Sequence, residues 1–131
     1  MGNSNSINKI SFQDMQDIIR SKQYIIINTL AEDNQKCLII NTIAPEKEVE
    51  IINKHLNQTK DVKIVIYGEN SNDNKLLEKY TQLYKLGFTN IYVYIGGLFE
   101  WVLLQDIYGD EEFPTTSKEL DILRFKAPRK I

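Results

Sequence analysis

The sequence predicts a single α/β domain in which a central, mainly parallel β-sheet is flanked by helices on both faces. Val62 to Tyr67 and Ile91 to Ile95 are β-branched and aromatic runs with the length and composition of buried strands. A helical pattern lies between them and ends at Gly87, a typical residue just beyond a helix. The chain contains two such strand–helix–strand passages in succession, and this order favours a parallel sheet.

Composition excludes several classes of protein. The 131 residues are 42% hydrophobic and 26% charged, as expected for one globular domain. The net charge of −2 gives no general attraction to nucleic acid, so no nucleic-acid partner is predicted. No apolar run approaches the roughly 20 residues that span a bilayer. With one cysteine, Cys37, and one histidine, His55, the chain offers neither a disulfide framework nor a cysteine-rich metal site. We therefore predict no metal and no cofactor.

The first half of the chain predicts two helices and two strands. Ser11 is a good N-cap for a helix over residues 12–21, because serine accepts a hydrogen bond from the first turn. Tyr24 to Ile27 and Cys37 to Ile40 have the composition of short strands, and the polar stretch between them is expected to be a loop. Pro45 suits the first turn of a second helix over residues 46–56. The residues expected to face inward from it are Val49, Ile52 and Leu56, whereas His55 has polar neighbours and is expected at the surface.

The second half continues with two helices and an addition. Asp73 is the expected N-cap of a helix whose buried face is predicted to contain Leu76, Leu77, Tyr80, Leu83 and Tyr84. Leu98 to Tyr108 predicts a largely buried helix that ends at Gly109. In the addition, Thr116 to Glu119 form a capping-box pattern that predicts a short helix. We therefore divide the chain into a flexible N-terminus over residues 1–8, a domain over 9–109 and a C-terminal extension over 110–131.

The loop after the first central strand is the expected functional site. In open α/β sheets, ligands bind at the carboxyl ends of the strands. The strand Val62 to Tyr67 ends there at Gly68, and six polar residues follow it. The loop consists of Gly68, Glu69, Asn70, Ser71, Asn72, Asp73 and Asn74.

The order of these segments resembles the rhodanese-homology domain, a family of sulfurtransferases and related phosphatases. The resemblance covers about Lys9 to Tyr108. Its most diagnostic part is the strand Val93-Tyr94-Ile95 followed by Gly96-Gly97 and then by a helix that contains Trp101. Enzymes of this family carry a persulfide on a cysteine at the first position of the loop, which is Gly68 here.

That glycine leads us to predict a catalytically inactive module that acts by binding. A thiolate is the nucleophile in the family's chemistry, and glycine has no side chain. Glu69 and Asp73 would repel the anion that family loops hold with backbone N–H groups, and Asp73 is expected at the helix N-terminus that such an anion would use. Asn28, where the family often has aspartate, removes a further charge from the cleft.

An enzyme with altered chemistry is the alternative. It would be a sulfurtransferase or phosphatase-like protein that uses Cys37 or the polar loop over residues 69–75. Ser71 has no evident base, and Cys37 begins an apolar run in which a free cysteine usually serves as a small buried hydrophobe. An open cleft with Cys37 facing Gly68 would favour the enzyme, and a loop filled by its own side chains would favour the inactive module.

The two termini suggest a membrane contact. Gly2 followed by Ser6 fits the N-myristoylation pattern, although an ordinary polar N-terminus reads the same way. A single myristoyl chain binds membranes only marginally, so a second signal is expected. The basic residues near the C-terminus either supply it or form a solvated tail; they are Arg124, Lys126, Arg129 and Lys130. The predicted location is the cytoplasm, with the cytoplasmic face of a membrane as the site of any tether.

A protein partner is the other predicted contact. It would bind through the loop over residues 68–75 or through the C-terminal extension. The apolar side chains of the extension would cover the cleft or an edge of the sheet, or would be available to a partner or second copy; they are Phe113, Pro114, Leu120, Leu123 and Phe125.

Overall fold

A parallel four-stranded sheet forms the centre of the computed structural model, which describes residues 7–129. The strand order is β1-β4-β3-β2, and every neighbouring pair is parallel. The strands are β1 (Asn8–Ile10), β2 (Tyr24–Asn28), β3 (Lys63–Tyr67) and β4 (Ile91–Tyr94). The predicted α/β class with a parallel sheet is confirmed. The three-residue edge strand β1 was not predicted, because it is too short to show a periodic pattern.

In residues 7–129, three α-helices connect successive strands, a fourth follows β4, and together they cover both faces of the sheet. They are α1 (Phe12–Ser21), α2 (Pro45–Leu56), α3 (Asn74–Lys85) and α4 (Gly97–Tyr108), and two short 3-10 helices span Glu32–Asn34 and Ile122–Phe125. Ser11 caps α1 in a complete capping box with Asp14, as its position predicts. Asp73 caps α3 and Gly109 follows α4, which also agrees with the sequence.

Successive side chains along each strand point to opposite faces of the sheet and so divide the core into two layers. In β2 and β3, Ile26 and Val65 pack on one face with α1 and α4, whereas Ile27 and Ile64 pack on the other face with α2 and α3. The predicted inward faces of the helices are only partly correct. Ile52, Leu76 and Leu83 are buried, but Val49 is 69% exposed. Leu77 and Tyr84 are also exposed, because α3 contacts the sheet along a stripe narrower than its apolar pattern.

Two predicted elements are absent because distant partners decide the local conformation. Residues 37–40 form no strand: Ile39 makes a single antiparallel bridge to Thr115, and Asn41 turns the chain with a φ of 70°. The capping box at residues 116–119 opens no helix. Instead, the Thr116 hydroxyl accepts a hydrogen bond from the Leu38 N–H at 3.0 Å. The helical part of the extension is the 3-10 turn over Ile122–Phe125.

The C-terminal extension packs into the same core as α1 and α4. Phe113 and Phe125 are 3% and 1% exposed and belong to the layer that contains Trp101. The indole N–H of Trp101 donates to the Pro114 carbonyl at 3.1 Å, and the Gln105 side-chain amide donates to the Phe113 carbonyl at 2.8 Å. None of the helices in residues 7–129 combines the length and the apolar character that a membrane crossing requires.

Candidate functional site

The loop over residues 68–73 lies at the carboxyl edge of the sheet, between β3 and α3. On one side, the Thr29 N–H that follows β2 donates to the Tyr67 carbonyl at 3.0 Å. On the other side, the Leu98 N–H of α4 donates to the Gly68 carbonyl at 2.8 Å, and the Phe99 N–H donates to the Glu69 carbonyl at 2.8 Å. The free N–H groups at the start of α4 are therefore used to hold the loop backbone.

The Gly96-Gly97 pair permits this close approach. Gly97 has a φ of +71°, and a Cβ there would lie 2.7 Å from the Gly68 carbonyl oxygen and 2.9 Å from the Asn70 nitrogen. Only glycine fits so near another backbone at a positive φ. Nearby, the Tyr94 hydroxyl donates to Glu100 Oε1 at 2.6 Å, and burial raises the pKa of Tyr94 above its ordinary value. These contacts fix the turn between β4 and α4 against the loop.

Gly68 lies against the side chain of Asp73. A Cβ at Gly68 would be 2.1 Å from Asp73 Oδ2 and 2.8 Å from the Thr29 hydroxyl oxygen. Real Cβ atoms are essentially never that close to other atoms. The space beside the first loop position is therefore filled by a carboxylate that belongs to the loop itself.

The Asp73 carboxylate accepts three hydrogen bonds in this position. The Lys75 N–H donates to Oδ1 at 2.9 Å, the Thr29 hydroxyl donates to Oδ2 at 3.0 Å, and the Glu69 N–H donates to Oδ2 at 3.3 Å. The carboxylate also lies at the N-terminus of α3, where the helix dipole favours a negative charge. The loop thus binds an anion, and the anion is an aspartate side chain of the same chain.

Glu69 and Asn70 connect the loop to other segments. The buried Asn70 amide donates to the Phe125 carbonyl at 2.9 Å, and its oxygen accepts from the Asn72 N–H at 2.9 Å. The Asn34 amide donates to Glu69 Oε1 at 2.6 Å. Arg124 Nε donates to Asn34 Oδ1 at 2.8 Å, so the C-terminal extension is linked to the loop through two routes.

The tip of the loop remains available to solvent. Ser71, Asn72 and Asn74 are exposed, and so is Lys75 in the first turn of α3. His55 is half-buried on α2, and its Nδ1 atom is buried without a hydrogen-bond partner in the described part of the chain. His55 therefore makes no hydrogen bond to Ser71 through Nδ1.

Cys37 lies outside this loop. It is 4% exposed, its thiol donates to the Ser117 carbonyl at 3.4 Å, and burial raises its pKa. It lines a cavity of about 90 Å³ that also touches Arg124 and Phe125. A reactive cysteine usually has a lowered pKa in an exposed, electropositive environment, which is the opposite of this arrangement.

Phe125, which was expected over the cleft, at an edge of the sheet or at a partner surface, accepts a hydrogen bond from the loop residue Asn70 through its carbonyl. Sequence reasoning missed Thr29 and Asn34, which also contact the loop. Each is 35 or more residues distant from its loop partner, so no local signal could have identified it. Asn28 was singled out, and it has a structural role. It is 8% exposed, and its side-chain oxygen accepts hydrogen bonds from the Leu30 N–H and the Gln35 amide.

The predicted terminal residues are only partly described. Gly2 and Lys130 lie outside residues 7–129. Arg124, Lys126 and Arg129 are exposed, and Arg124 also pairs with Glu119 at 3.8 Å. Within the described residues, no three His, Cys, Asp or Glu side chains come together in a way that could hold a metal ion.

Comparison with known families agrees with this architecture. The family model of the rhodanese-like domain matches residues 12–104. The chain belongs to the rhodanese-like domain family. The predicted resemblance is therefore confirmed. The assignment of the family's cysteine position to Gly68 stays a prediction from the motif order.

Several solved structures share the fold of this rhodanese-like domain. Ygr203w, a yeast protein tyrosine phosphatase of the rhodanese family, is 14% identical with a TM-score of 0.66, over 90% of this chain and 97% of that one. Alr3790 from Anabaena is 17% identical with a TM-score of 0.59, over 88% and 86%. The As–Sb reductase from Leishmania major is 18% identical with a TM-score of 0.55, over 80% and 81%. No match was found among curated proteins. At these identities the likeness shows the fold alone.

Proposed function

We propose that this chain is a catalytically inactive rhodanese-like domain that acts as a binding or regulatory module. The observation that supports the proposal is the occupation of the loop by Asp73. Its carboxylate takes the Glu69 and Lys75 N–H groups that would otherwise face a bound anion. An external oxyanion would have to displace a negative charge held by three hydrogen bonds, and it would meet no thiol at Gly68.

The state of Cys37 argues against the alternative of altered thiol chemistry. A buried thiol with a raised pKa is mostly protonated at neutral pH, and the thiolate is the reactive form. Its hydrogen bond to the Ser117 carbonyl further favours the protonated form, because only the thiol can donate. In the polar loop, the Asp73 carboxylate is already engaged by the Thr29 hydroxyl and by the Glu69 and Lys75 N–H groups.

A thiosulfate:cyanide sulfurtransferase assay tests the proposal directly. We expect no turnover by the wild type and only slow turnover by Gly68→Cys, because the new side chain would compete with the Asp73 carboxylate for the same space. In Gly68→Cys with Asp73→Ser, the carboxylate is removed and serine keeps an N-cap for α3. We expect this double variant to form the cysteine persulfide from thiosulfate, releasing sulfite, at least about tenfold faster than the single variant.

The matched control is Asp73→Ser alone, which empties the loop without adding a thiol and should remain inactive. Wild-type turnover that Cys37→Ser abolishes would overturn the proposal. A Gly68→Cys single variant as fast as the double variant would show that Asp73 does not close the loop.

The contact surfaces we propose are the loop and the C-terminal extension. Ser71 and Asn72 at the loop tip are exposed, and so are Leu120 and Leu123 in the extension, at 85% and 62%. Exposed side chains of both kinds are suited to a protein partner. We also propose a peripheral tether to the cytoplasmic face of a membrane, through an acyl chain on Gly2 and the basic residues Arg124, Lys126, Arg129 and Lys130. Intact-mass measurement of protein from its native host tests the tether; an unmodified Gly2 would rule it out.

A further inference from the structure

A groove of mixed polar and apolar lining lies between α3 and the β1–β4 side of the sheet. Its volume is about 370 Å³, and we call it the α3 groove. Six of its eleven lining residues are apolar or aromatic: Ile7, Leu76, Leu77, Tyr80, Val93 and Ile95. The others are Lys9 at one side and residues 71–74 of the loop along the rim. The groove is therefore adjacent to the loop, and Asp73 belongs to both.

The α3 groove is suited to an aliphatic chain. Leu77 is 56% exposed although its helix neighbour Leu76 is buried, so α3 presents an apolar surface that the described residues leave uncovered. Apolar cavities of about 150 Å³ already bind benzene, and ligand pockets generally begin near 300 Å³. The charged lining groups are few, which disfavours a highly charged ligand.

The position of Ile7 indicates which aliphatic chain is within reach. Ile7 is both part of the groove wall and the first described residue of the chain. Gly2 precedes it by five residues, a span of at most about 17 Å. We propose that the α3 groove binds the acyl chain proposed on Gly2 and so holds it away from the membrane. This inference rests on the proposed myristoylation.

Such binding would regulate the tether, because a single myristoyl chain holds a protein on a membrane only marginally. Each methylene that leaves water changes the binding constant by about fourfold. A groove that shelters a few methylenes therefore competes effectively with a bilayer. Since residues 71–74 form the rim, a partner bound at the loop tip would also affect the release of the acyl chain.

The experiment compares the full chain with and without the acyl group. The protein is acylated with an N-myristoyltransferase, and acylation is verified by intact mass. Melting temperature and sedimentation with vesicles of phosphatidylcholine containing a minor fraction of phosphatidylserine are then measured. The test variant is Leu77→Glu, which places a charge in the groove at an exposed position. The matched control is Leu103→Glu on α4, which is 41% exposed and lies outside the groove.

If the inference is correct, acylation raises the melting temperature of the wild type and of Leu103→Glu by about 4 °C. Acylated Leu77→Glu shows no such rise and binds vesicles about tenfold more strongly than the acylated wild type. If the acylated Leu77→Glu variant and the acylated Leu103→Glu variant behave alike, the inference is wrong, but the proposed membrane tether is not affected. Weaker vesicle binding by Leu77→Glu would also overturn it, because the groove face itself would then meet the membrane. A Gly2 that the transferase leaves unmodified would overturn the inference and the tether together.

Discussion

The hydrogen bonds of Asp73 explain how the sequence of the loop determines whether the loop can bind an external anion. A carboxylate that receives two backbone N–H groups and the Thr29 hydroxyl is stabilised by the same groups that would stabilise a bound oxyanion. Because the aspartate is covalently attached, it needs no loss of translational freedom to bind, whereas a free anion does. The Asp73 side chain therefore competes with a free anion at a high effective concentration. It has room to do so because Gly68 has no side chain.

The chemical state of Cys37 leads to a prediction about thiol labelling. Burial raises its pKa, so the thiol stays protonated to a higher pH than an exposed cysteine, which ionises at a pH of about 8.5. We expect the native protein at pH 8 to react with a disulfide reagent at least about a hundredfold more slowly than the protein unfolded in guanidinium. The measurement is the absorbance of the released thiol group. A native rate close to the unfolded rate would indicate an accessible thiolate and would favour the enzymatic alternative.

At the scale of single residues, the sequence revealed the position of the loop but not the reason for its closure. Gly68 could be assigned because it ends a strand and stands in a recognisable order of segments. The N-cap role of Asp73 is a local property and was also predictable. Its contact with Thr29 joins residues 44 positions apart, and its overlap with the space beside Gly68 depends on a side-chain conformation. Neither leaves a pattern in the sequence.

The junction between β4 and α4 is the element that fixes the loop, and its glycines provide a test. Gly97→Ala would place a Cβ 2.7 Å from the Gly68 carbonyl oxygen at a φ of +71°. Gly109→Ala is a matched control, because Gly109 also has a positive φ, +104°, but has nothing within 4 Å of the Cβ position. We expect Gly109→Ala to cost about 1–3 kcal/mol through backbone strain alone, because its φ of 104° and ψ of 163° form a conformation largely restricted to glycine. We expect Gly97→Ala to combine a strain of about 1–2 kcal/mol with overpacking of about 1–3 kcal/mol.

Urea unfolding of both variants measures this difference. A loss for Gly97→Ala no larger than its backbone strain of about 1–2 kcal/mol would mean that the junction does not depend on close backbone approach. The ring of Tyr94 at the end of β4 contacts the ring of Trp101 in α4, with centroids 5.9 Å apart. Tryptophan fluorescence therefore reports on the same junction.

Elements with local signals were predicted well, and elements that depend on distant partners were not. Ser11, Asp73 and Gly87 define helix ends through hydrogen bonds or backbone angles within a few residues. The segments near Cys37 and Thr116 also carry strand and helix signals, but they pair with each other across 78 positions. This long-range pairing satisfies the Thr116 hydroxyl and so removes it from a helix cap. A local pattern is decisive only where its polar groups have no better partner elsewhere.

At the scale of the whole molecule, the C-terminal extension belongs to the core. Phe125 is 1% exposed in the layer that contains α1 and α4, and its carbonyl accepts from Asn70 in the loop. Phe113 packs against Trp101 with ring centroids 5.0 Å apart. The extension therefore fills space that the rest of the domain would otherwise leave open, and it places the loop beneath a segment whose outer leucines face solvent. The sequence left this packing as one of several alternatives for Phe113 and Phe125, because neither residue belongs to a periodic pattern that would show which surface it covers.

This packing predicts that the extension and the domain unfold as one unit. Phe125→Ala removes a fully buried ring, so we expect a loss of about 3–5 kcal/mol in the free energy of unfolding. Leu123→Ala is the matched control within the same 3-10 helix; its side chain is 62% exposed, and the expected change is within about 0.5 kcal/mol. Tryptophan fluorescence and far-UV circular dichroism should give coincident urea transitions for the wild type and both variants. An early, separate transition in Phe125→Ala would instead mean that the extension detaches while the parallel sheet stays folded, and that the loop closed by Asp73 can be uncovered without unfolding the domain.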